Sequence, residues 1–326
     1  TTPACRMRPS IPPGEIAFRS EDLGHLVRDR AHALPPPERT ERVGVVIVGA
    51  GVAGLAAAWR LKRAGCEDFL VVEIDPVPGG TARSGRNAVG AYPWGAHYIT
   101  TPMKENRAMV ALLGEMGVLE GVDASGEPVV AEQFLCRDPH ERVFYEGAWR
   151  EGLYLHEGAS PADLAELRRF QAEMERFAEM RDGRARRAFT IPSSRASDDA
   201  DLTALDRVSM REWMRARGYR SPRLLWLVDY ACRDDYGCRA EHTSAWAGLF
   251  YFASRIEREG SEAQAVITWP EGNGRLVAHL HAHARDRVRT GTAVFDVNPS
   301  ERGVTVSAFT HDRKAVRYEA ERVIFA

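Results

Sequence analysis

The sequence predicts an α/β chain in which a β-α-β unit near the start and a set of strands at the end flank a mainly helical middle. Residues 43–48 (VGVVIV) and 69–74 (FLVVEI) are apolar, β-branched runs of strand length, as expected for strands buried on both faces. Between them, 52–64 reads as a helix that follows a glycine-rich turn. Strand, helix and strand within about thirty residues make one right-handed parallel crossover. From 160 to 260 the character is helical, and from 287 onward the strand pattern returns.

Taken in order, residues 1–42 are rich in Pro, Arg and Glu, with Pro35-Pro36-Pro37 before the first strong strand, and read as an N-terminal arm. The β-α-β unit follows. Ser160-Pro161-Ala162-Asp163 then supplies an N-cap, a proline at the first helical position and an acid at the capping-box position. Leu164, Leu167, Phe170, Met174 and Phe177 continue at helical spacing as one apolar stripe. The polar, turn-rich stretch 183–202 predicts a surface loop. A second helix start is Ser209 with Glu212, containing Trp213 and Met214 and stopping at Gly218. Strands are expected over 288–297, 303–310 and 323–326, and no internal repeat is visible.

With 326 residues the chain is long enough for two domains and a sizeable core. Its 44% hydrophobic and 28% charged residues are ordinary for a globular protein. With 44 basic and 46 acidic side chains, the net charge of −2 points to no nucleic-acid partner. No run of eighteen apolar residues occurs, which argues against a transmembrane helix and for a soluble chain. Cysteines 5, 66, 136, 232 and 238 have no zinc spacing and read as thiols, although Cys232 and Cys238 are close enough in sequence for a local disulfide. The chain starts at Thr1, and Ala4-Cys5 resembles what a lipoprotein cleavage leaves. Periplasmic or lipid-anchored and cytoplasmic locations both stay open. The final Arg322-Val-Ile-Phe-Ala326 reads as strand, so more sequence is expected downstream.

The chemistry concentrates at Val48-Gly49-Ala50-Gly51-Val52-Ala53-Gly54. Gly49 permits the tight turn out of the strand, Gly51 lets backbone approach a pyrophosphate, and Gly54 (after Ala53) lets helix pack close to sheet. Phosphates sit at the helix N-terminus, where free N–H groups and the dipole favour negative charge. Glu73 lies 19 residues beyond Gly54, at the end of the second strand, where an acid accepts hydrogen bonds from ribose hydroxyls. Strand, glycines, helix and acid in this order define a Rossmann-like dinucleotide site. Gly79-Gly80-Thr81-Ala82-Arg83 places bare backbone just past that strand, and Gly95-Ala96-His97-Tyr98-Ile99 follows.

These segments resemble the flavin-containing amine oxidase superfamily, which includes monoamine and polyamine oxidases, phytoene desaturases and protoporphyrinogen oxidases. The resemblance covers roughly residues 40–115 and 265–326, with Trp269-Pro270-Glu271-Gly272 similar to the family's P-x-G turn. It implies FAD as cofactor. Gly79, Gly80 and their neighbours would line its ribose and pyrophosphate. Gly95, Ala96, His97 and Tyr98 would run beside the isoalloxazine, and the backbone of Val294 would contact the adenine side. Two departures stand out: Thr81 occupies the place of the usual arginine after the glycine pair, with Arg83 two residues on, and the family's later segments beyond the final strand are absent. Which of Thr81 and Arg83 supports the phosphates stays open.

The implied fold is a discontinuous Rossmann-like FAD-binding domain (43–115 and 265–326) with an inserted, mainly helical substrate domain (116–264). The implied function is FAD-dependent oxidation of a small organic molecule, an amine first, by hydride transfer to flavin N5. The alternatives are a desaturase or isomerase of an apolar substrate, and a non-catalytic fragment or one half of a two-chain flavoprotein whose second chain or missing C-terminal segment completes the flavin site. An aromatic cage is expected within 224–252 from Trp226, Tyr230, Tyr236, Trp246, Phe250, Tyr251 and Phe252, with Asp229, Asp234 and Asp235 to hold a cationic amine. Taken singly, each of those aromatics reads first as core. His97 is a candidate beside the flavin for hydrogen bonding or a proton step. His281 and His283 fall on different helix faces, so no metal site is expected.

Overall fold

Val45, Val46 and Ile47 are fully or almost fully buried, as are all of Phe69–Val72, and these two runs are neighbouring parallel strands in register from Val45–Phe69 to Val48–Val72. The structure, a computed structural model, describes residues 20–30, 36–137, 141–255 and 265–326, together with Gly14. Cys5 and Pro35 lie outside the described residues. The chain divides into two compact units: one runs to His97 and resumes at Trp269–Ala326, and the other is Tyr98–Thr268. Residues 98–115 and 265–268 therefore fall in the second unit.

The first unit opens with helix α1 (Glu21–Arg30), strand β1 (Arg39–Val48), helix α2 (Val52–Arg63) and strand β2 (Phe69–Val72), then the short antiparallel pair β3 (Ser84–Arg86) and β4 (Ala91–Pro93). β2 ends two residues earlier than its apolar run. The reason is visible in the backbone: Glu73 N donates to Arg289 O at 2.8 Å and its carbonyl accepts from Thr292 N at 2.8 Å, which fixes the chain as it leaves the sheet.

The second unit contains short strands β5 (Tyr98–Thr100), β6 (Leu119–Val122), β7 (Pro128–Val130), β8 (Leu135–Cys136), β9 (Arg142–Tyr145) and β10 (Ala148–Glu151), with α3 (Arg107–Glu115) before β6. Helices α4 (Pro161–Glu179), α5 (Ala200–Thr203), α6 (Met210–Ala216), α7 (Pro222–Tyr236) and α8 (Ala245–Ala253) follow, and β11 (Val266–Thr268) pairs with both β5 and β8. Both expected helix starts have complete capping boxes, Ser160 with Asp163 and Ser209 with Glu212. The helices share one core in which Phe170, Met174 and Phe177 meet Met210, Trp213, Met214, Leu224, Val228 and Leu249.

The expected surface loop at 183–202 is corrected here. Ala188, Phe189 and Thr190 are buried, and the Phe189 ring lies 5.7 Å from Phe177 and 5.5 Å from Trp246. Ala196, Ser197 and Leu202 are buried as well, so the stretch enters the helical core at more than one point between solvated polar residues. Arg187 anchors it through ion pairs to Glu105 (3.2 Å) and Glu127 (2.6 Å).

The chain then returns to the first unit with α9 (Gly274–Ala284), β12 (Val288–Arg289), β13 (Thr292–Ser300), β14 (Gly303–Thr310) and β15 (Ala315–Phe325). The sheet order is β12-β2-β1-β15-β14-β13, with β1 parallel to both neighbours and β15-β14-β13 an antiparallel meander. This is an α/β fold with a mixed sheet. β15 begins well before the apolar run at 323–326 because Val316, Tyr318 and Ala320 point inward while Arg317 and Glu319 alternate with them. α1 packs Leu23, Leu26 and Val27 against Ala293, Phe309 and Ala315, so that part of the N-terminal arm is a helix seated on the meander. Cys66, Cys136, Cys232 and Cys238 are free thiols. No helix among the described residues is long and apolar enough to cross a membrane.

Two outcomes follow for the helical unit. Replacing Phe189 by Ala should lower its stability by about 3 to 5 kcal/mol through the cavity left between Phe177 and Trp246, measured by urea unfolding with tryptophan fluorescence. Asp163 accepts hydrogen bonds from the Ser221 and Ser160 side chains and from Ser160 N, which pull its carboxyl from an ordinary 3.8 down to about 2. That stabilisation is complete above pH 3.8 and disappears as pH falls through 2. The unaltered protein should show this acid-limb loss in melting curves, and Asp163→Asn should lack it.

Candidate cofactor site

The glycine loop does three separate physical jobs. Gly49 has φ +102°, a conformation that side chains resist, and a Cβ there would also meet Ala326 O at 2.5 Å. At Gly54 a Cβ would come within 1.9 Å of Gly49 O, so α2 approaches the strand as closely as backbone permits. Gly51 is different, because a Cβ there would meet nothing within 4 Å. It faces open space at the N-terminus of α2, where no side chain caps the first turn and no acid occupies it. Uncapped N–H groups, a favourable dipole and bare backbone facing open space form a cradle suited to a pyrophosphate. Ala53 lies in that first turn.

Glu73 closes the loop from below. It is 6% exposed, and its carboxylate accepts from Ala50 N at 2.7 Å and Asp75 N at 2.8 Å. The glycine pair is held alongside: Gly79 N donates to Ala50 O at 2.8 Å, and a bridge joins Gly51 to Gly79. Gly79 has φ +126° and Gly80 φ +54°, so both need glycine. Arg83 forms an ion pair with Asp75 at 2.9 Å and donates from Nε to Gly80 O at 3.1 Å. Thr81 O accepts from Ala96 N at 2.9 Å, which ties the glycine pair to the 95–98 segment.

The next layer joins distant parts of the chain. Asn273 N donates to Ala96 O at 3.1 Å, and Ser84 Oγ donates to Glu271 O at 2.6 Å. A Cβ at Gly274 would fall 1.6 Å from that hydroxyl, so the start of α9 requires a glycine there. Ser84, Gly274 and Asp75 were not singled out in the sequence, and only the Gly272-Asn273-Gly274 turn hinted at such a close approach. His97 is exposed, with Nδ1 3.1 Å from Gly95 O. Tyr98 begins β5 of the other unit and is 45% exposed. Val294 sits in β13 beside a bulge, pairs with Ala308 and packs partly buried against the core cluster of the sheet. On α9 the helical spacing pairs His283 with His279 rather than with His281, ring centroids 5.1 Å apart.

Three of the expected cage aromatics, Trp246, Phe250 and Phe252, pack against the helical core. Trp246 stacks on Phe250 at 5.1 Å, and Phe252 meets Phe170 at 5.0 Å. Asp229 is buried, accepts from Ala240 N at 2.9 Å and pairs with Arg233 at 3.1 Å, so it serves the fold. Asp235 pairs with Arg255 at 2.5 Å, and Arg255 stands over the Tyr251 ring. A smaller group remains. Trp226 and Tyr230 stack at 5.6 Å, and Trp226 is 38% exposed. Desolvation and the charge of Asp234 raise both the Tyr230 hydroxyl and the Glu141 carboxyl above their ordinary ranges. The cavity lined by Arg181, Asp182, Asp199, Asp201 and Leu202 contains none of these aromatics.

The parallel half of the sheet, the glycine cradle and the acid at the end of β2 define a dinucleotide-binding α/β protein. Comparison with known proteins narrows the class: the model of the flavin containing amine oxidoreductases matches residues 52–326, and the chain belongs to that family. The family's cofactor is FAD, and the residues around Gly51 fit its anionic pyrophosphate. The chain is 28% identical over 274 residues to AofH of Mycobacterium tuberculosis, assigned as a flavin-containing monoamine oxidase. That match covers 82% of this chain and 54% of the relative, so the chain spans about half the length of the curated relatives it matches. Among solved structures, a putrescine oxidase variant aligns with a TM-score of 0.60 at 22% identity, over 88% of this chain and 58% of that one. Cyclohexylamine oxidase from Brevibacterium oxydans aligns at 0.55 and 19%, over 89% and 58%. At such identities the structures support the fold alone.

The glycine geometry makes a sharp prediction. Gly51→Ala should leave thermal stability within about 0.5 kcal/mol while weakening FAD binding at least about tenfold. Gly54→Ala should instead destabilise the folded protein outright. Melting temperatures and FAD titration of the two variants would separate these effects.

Proposed function

We propose that this chain is the FAD-binding part, with part of the substrate-recognising region, of an FAD-dependent oxidoreductase acting on amines. The observation that carries the reading is the open cradle at Gly51 beside the buried Glu73, in a chain of the flavin containing amine oxidoreductase family. In this reading the discontinuous unit is the Rossmann-like cofactor domain and the mainly helical unit supplies substrate-binding side chains.

The N–H groups at the start of α2 would hold the pyrophosphate, and the remaining lone pairs of Glu73 would accept ribose hydroxyls. Gly79, Gly80 and Thr81 would offer backbone to the same groups, the Val294 backbone would meet the adenine side, and Gly95–His97 would lie beside the ring. When bound, FAD would take hydride at N5 from the substrate C–H beside nitrogen, leaving an imine for water to hydrolyse. The chain's own contribution to the amine is the group Trp226, Tyr230, Asp234 and Glu141. Stacked aromatic faces and two neighbouring carboxylates favour a cation over a neutral molecule.

The test starts with the visible spectrum of the purified protein, denaturation to identify released FAD, and anaerobic bleaching by primary alkyl amines. Folded protein that binds no flavin even when FAD is supplied would sink the reading. Asp234→Asn should raise the amine KM about tenfold with kcat little changed, as expected for loss of a ground-state cation contact. Because the Glu141 carboxyl is held above its ordinary range, it becomes protonated earlier on acidification, and KM should climb at a pH above that range. In Glu141→Gln that limb should be missing.

A further inference from the structure

The departure from the usual arginine after the glycine pair has a specific structural answer. We propose that Arg83 is a positioning residue that acts through Asp75 and Gly80, and that it is not a phosphate ligand. The inference rests on the FAD reading and adds to it how the glycine pair is held.

Asp75 stands three residues after the end of β2, and Arg83 stands three beyond Gly80, across the turn Pro76-Val77-Pro78. Their side chains are 17% and 18% exposed and meet at 2.9 Å. Arg83 Nε donates to Gly80 O at 3.1 Å, so the guanidinium is committed to a carboxylate on one edge and a loop carbonyl on the other. The ion pair to Asp75 and the hydrogen bond to Gly80 O both tie the guanidinium to the loop itself, on either side of the glycine pair.

What the pair does hold is the least constrained backbone of the site. Gly79 and Gly80 occupy positive φ and have no side chains to pack, so their ordering carries the full backbone entropy cost. A Cβ at Gly80 would lie 3.4 Å from Gly51 Cα, so the glycine pair that Arg83 holds stands directly beside the phosphate cradle. Asp75 is itself fixed, its N–H donating to Glu73 at 2.8 Å and its carbonyl accepting from Gly291 N at 3.1 Å. Ser20 Oγ donates to the other Asp75 oxygen, so the residue that opens α1 fastens onto the same carboxylate.

The two roles predict opposite behaviour for Asp75. In a staple, Asp75→Asn and Arg83→Gln each weaken FAD binding by about tenfold, and the double variant is no worse than either single one. As a phosphate ligand, Arg83 would be needed alone, and Asp75→Asn would leave binding intact or strengthen it. FAD dissociation constants from flavin-fluorescence quenching, with circular dichroism to confirm folding, decide between them. The salt dependence of FAD affinity gives a second readout: it stays unchanged in Arg83→Gln for a staple and becomes shallower for a lost phosphate contact. Hydrogen exchange of the 79–82 amides in FAD-free protein should quicken in both single variants. Wild-type FAD affinity in Asp75→Asn would overturn the proposal, as would unaltered exchange in both single variants. Should the unaltered protein bind no FAD, the functional reading falls, while the staple is decided by hydrogen exchange.

Discussion

Glu73 is a carboxylate buried to 6% exposure whose two oxygens accept backbone N–H groups from either side, Ala50 at 2.7 Å and Asp75 at 2.8 Å. The rest of the cofactor unit depends on this contact. It joins the turn after β1 to the exit of β2, and a glutamine could satisfy only one of the two donors, because its amide nitrogen would point hydrogens at the other. Buried N–H groups left unpaired cost about 1 to 3 kcal/mol each. The acid is therefore required by the folded loop itself. A carboxylate has about four acceptor positions, and the two used here leave capacity for sugar hydroxyls.

The same economy governs the glycines around it. Gly54 lets α2 start against Gly49 O, and that close approach aims the free N–H groups of its first turn past Gly51 into open space. Loop, helix and acid are thus one object. The glycine pair 79–80 completes it only because distant segments hold it: Ala50 O and Asp75 from one side, and through Thr81 the Ala96–Asn273 contact from the other.

The β-α-β unit was legible in the sequence because its signals are local: two buried apolar runs, a spaced glycine loop and an acid at fixed distance. Both capping boxes were legible for the same reason, as four-residue patterns. What escaped was set by long-range packing. β15 starts at Ala315 behind alternating polar residues, and Phe189 hides in a polar stretch because its partners, Phe177 and Trp246, lie on separate helices. At the site, the glycines and Glu73 could be named from spacing. The Asp75–Arg83 ion pair and the Ser84–Gly274 approach could not, since nothing in the local sequence records what faces a side chain across a turn.

The acids of α7 show the same limit in terms of charge. Asp229, Asp234 and Asp235 share a composition and a helix, and sequence alone ranks them equally as partners for a cation. Position on the helix separates them. Asp229 is buried and must be neutralised to exist there, which Arg233 and the Ala240 N–H accomplish. Asp235 is matched by Arg255. Asp234 instead stands near a second carboxyl, Glu141, which burial first and the charge of Asp234 second raise above its ordinary range. In the proposed reading, an amine cation arriving beside these two carboxyls is attracted by both. Stacked Trp226 and Tyr230 nearby add faces that prefer the same sign. In the proposed reading, the stacked rings beside two carboxyls, rather than the number of acids on the helix, favour this part of α7 for an amine.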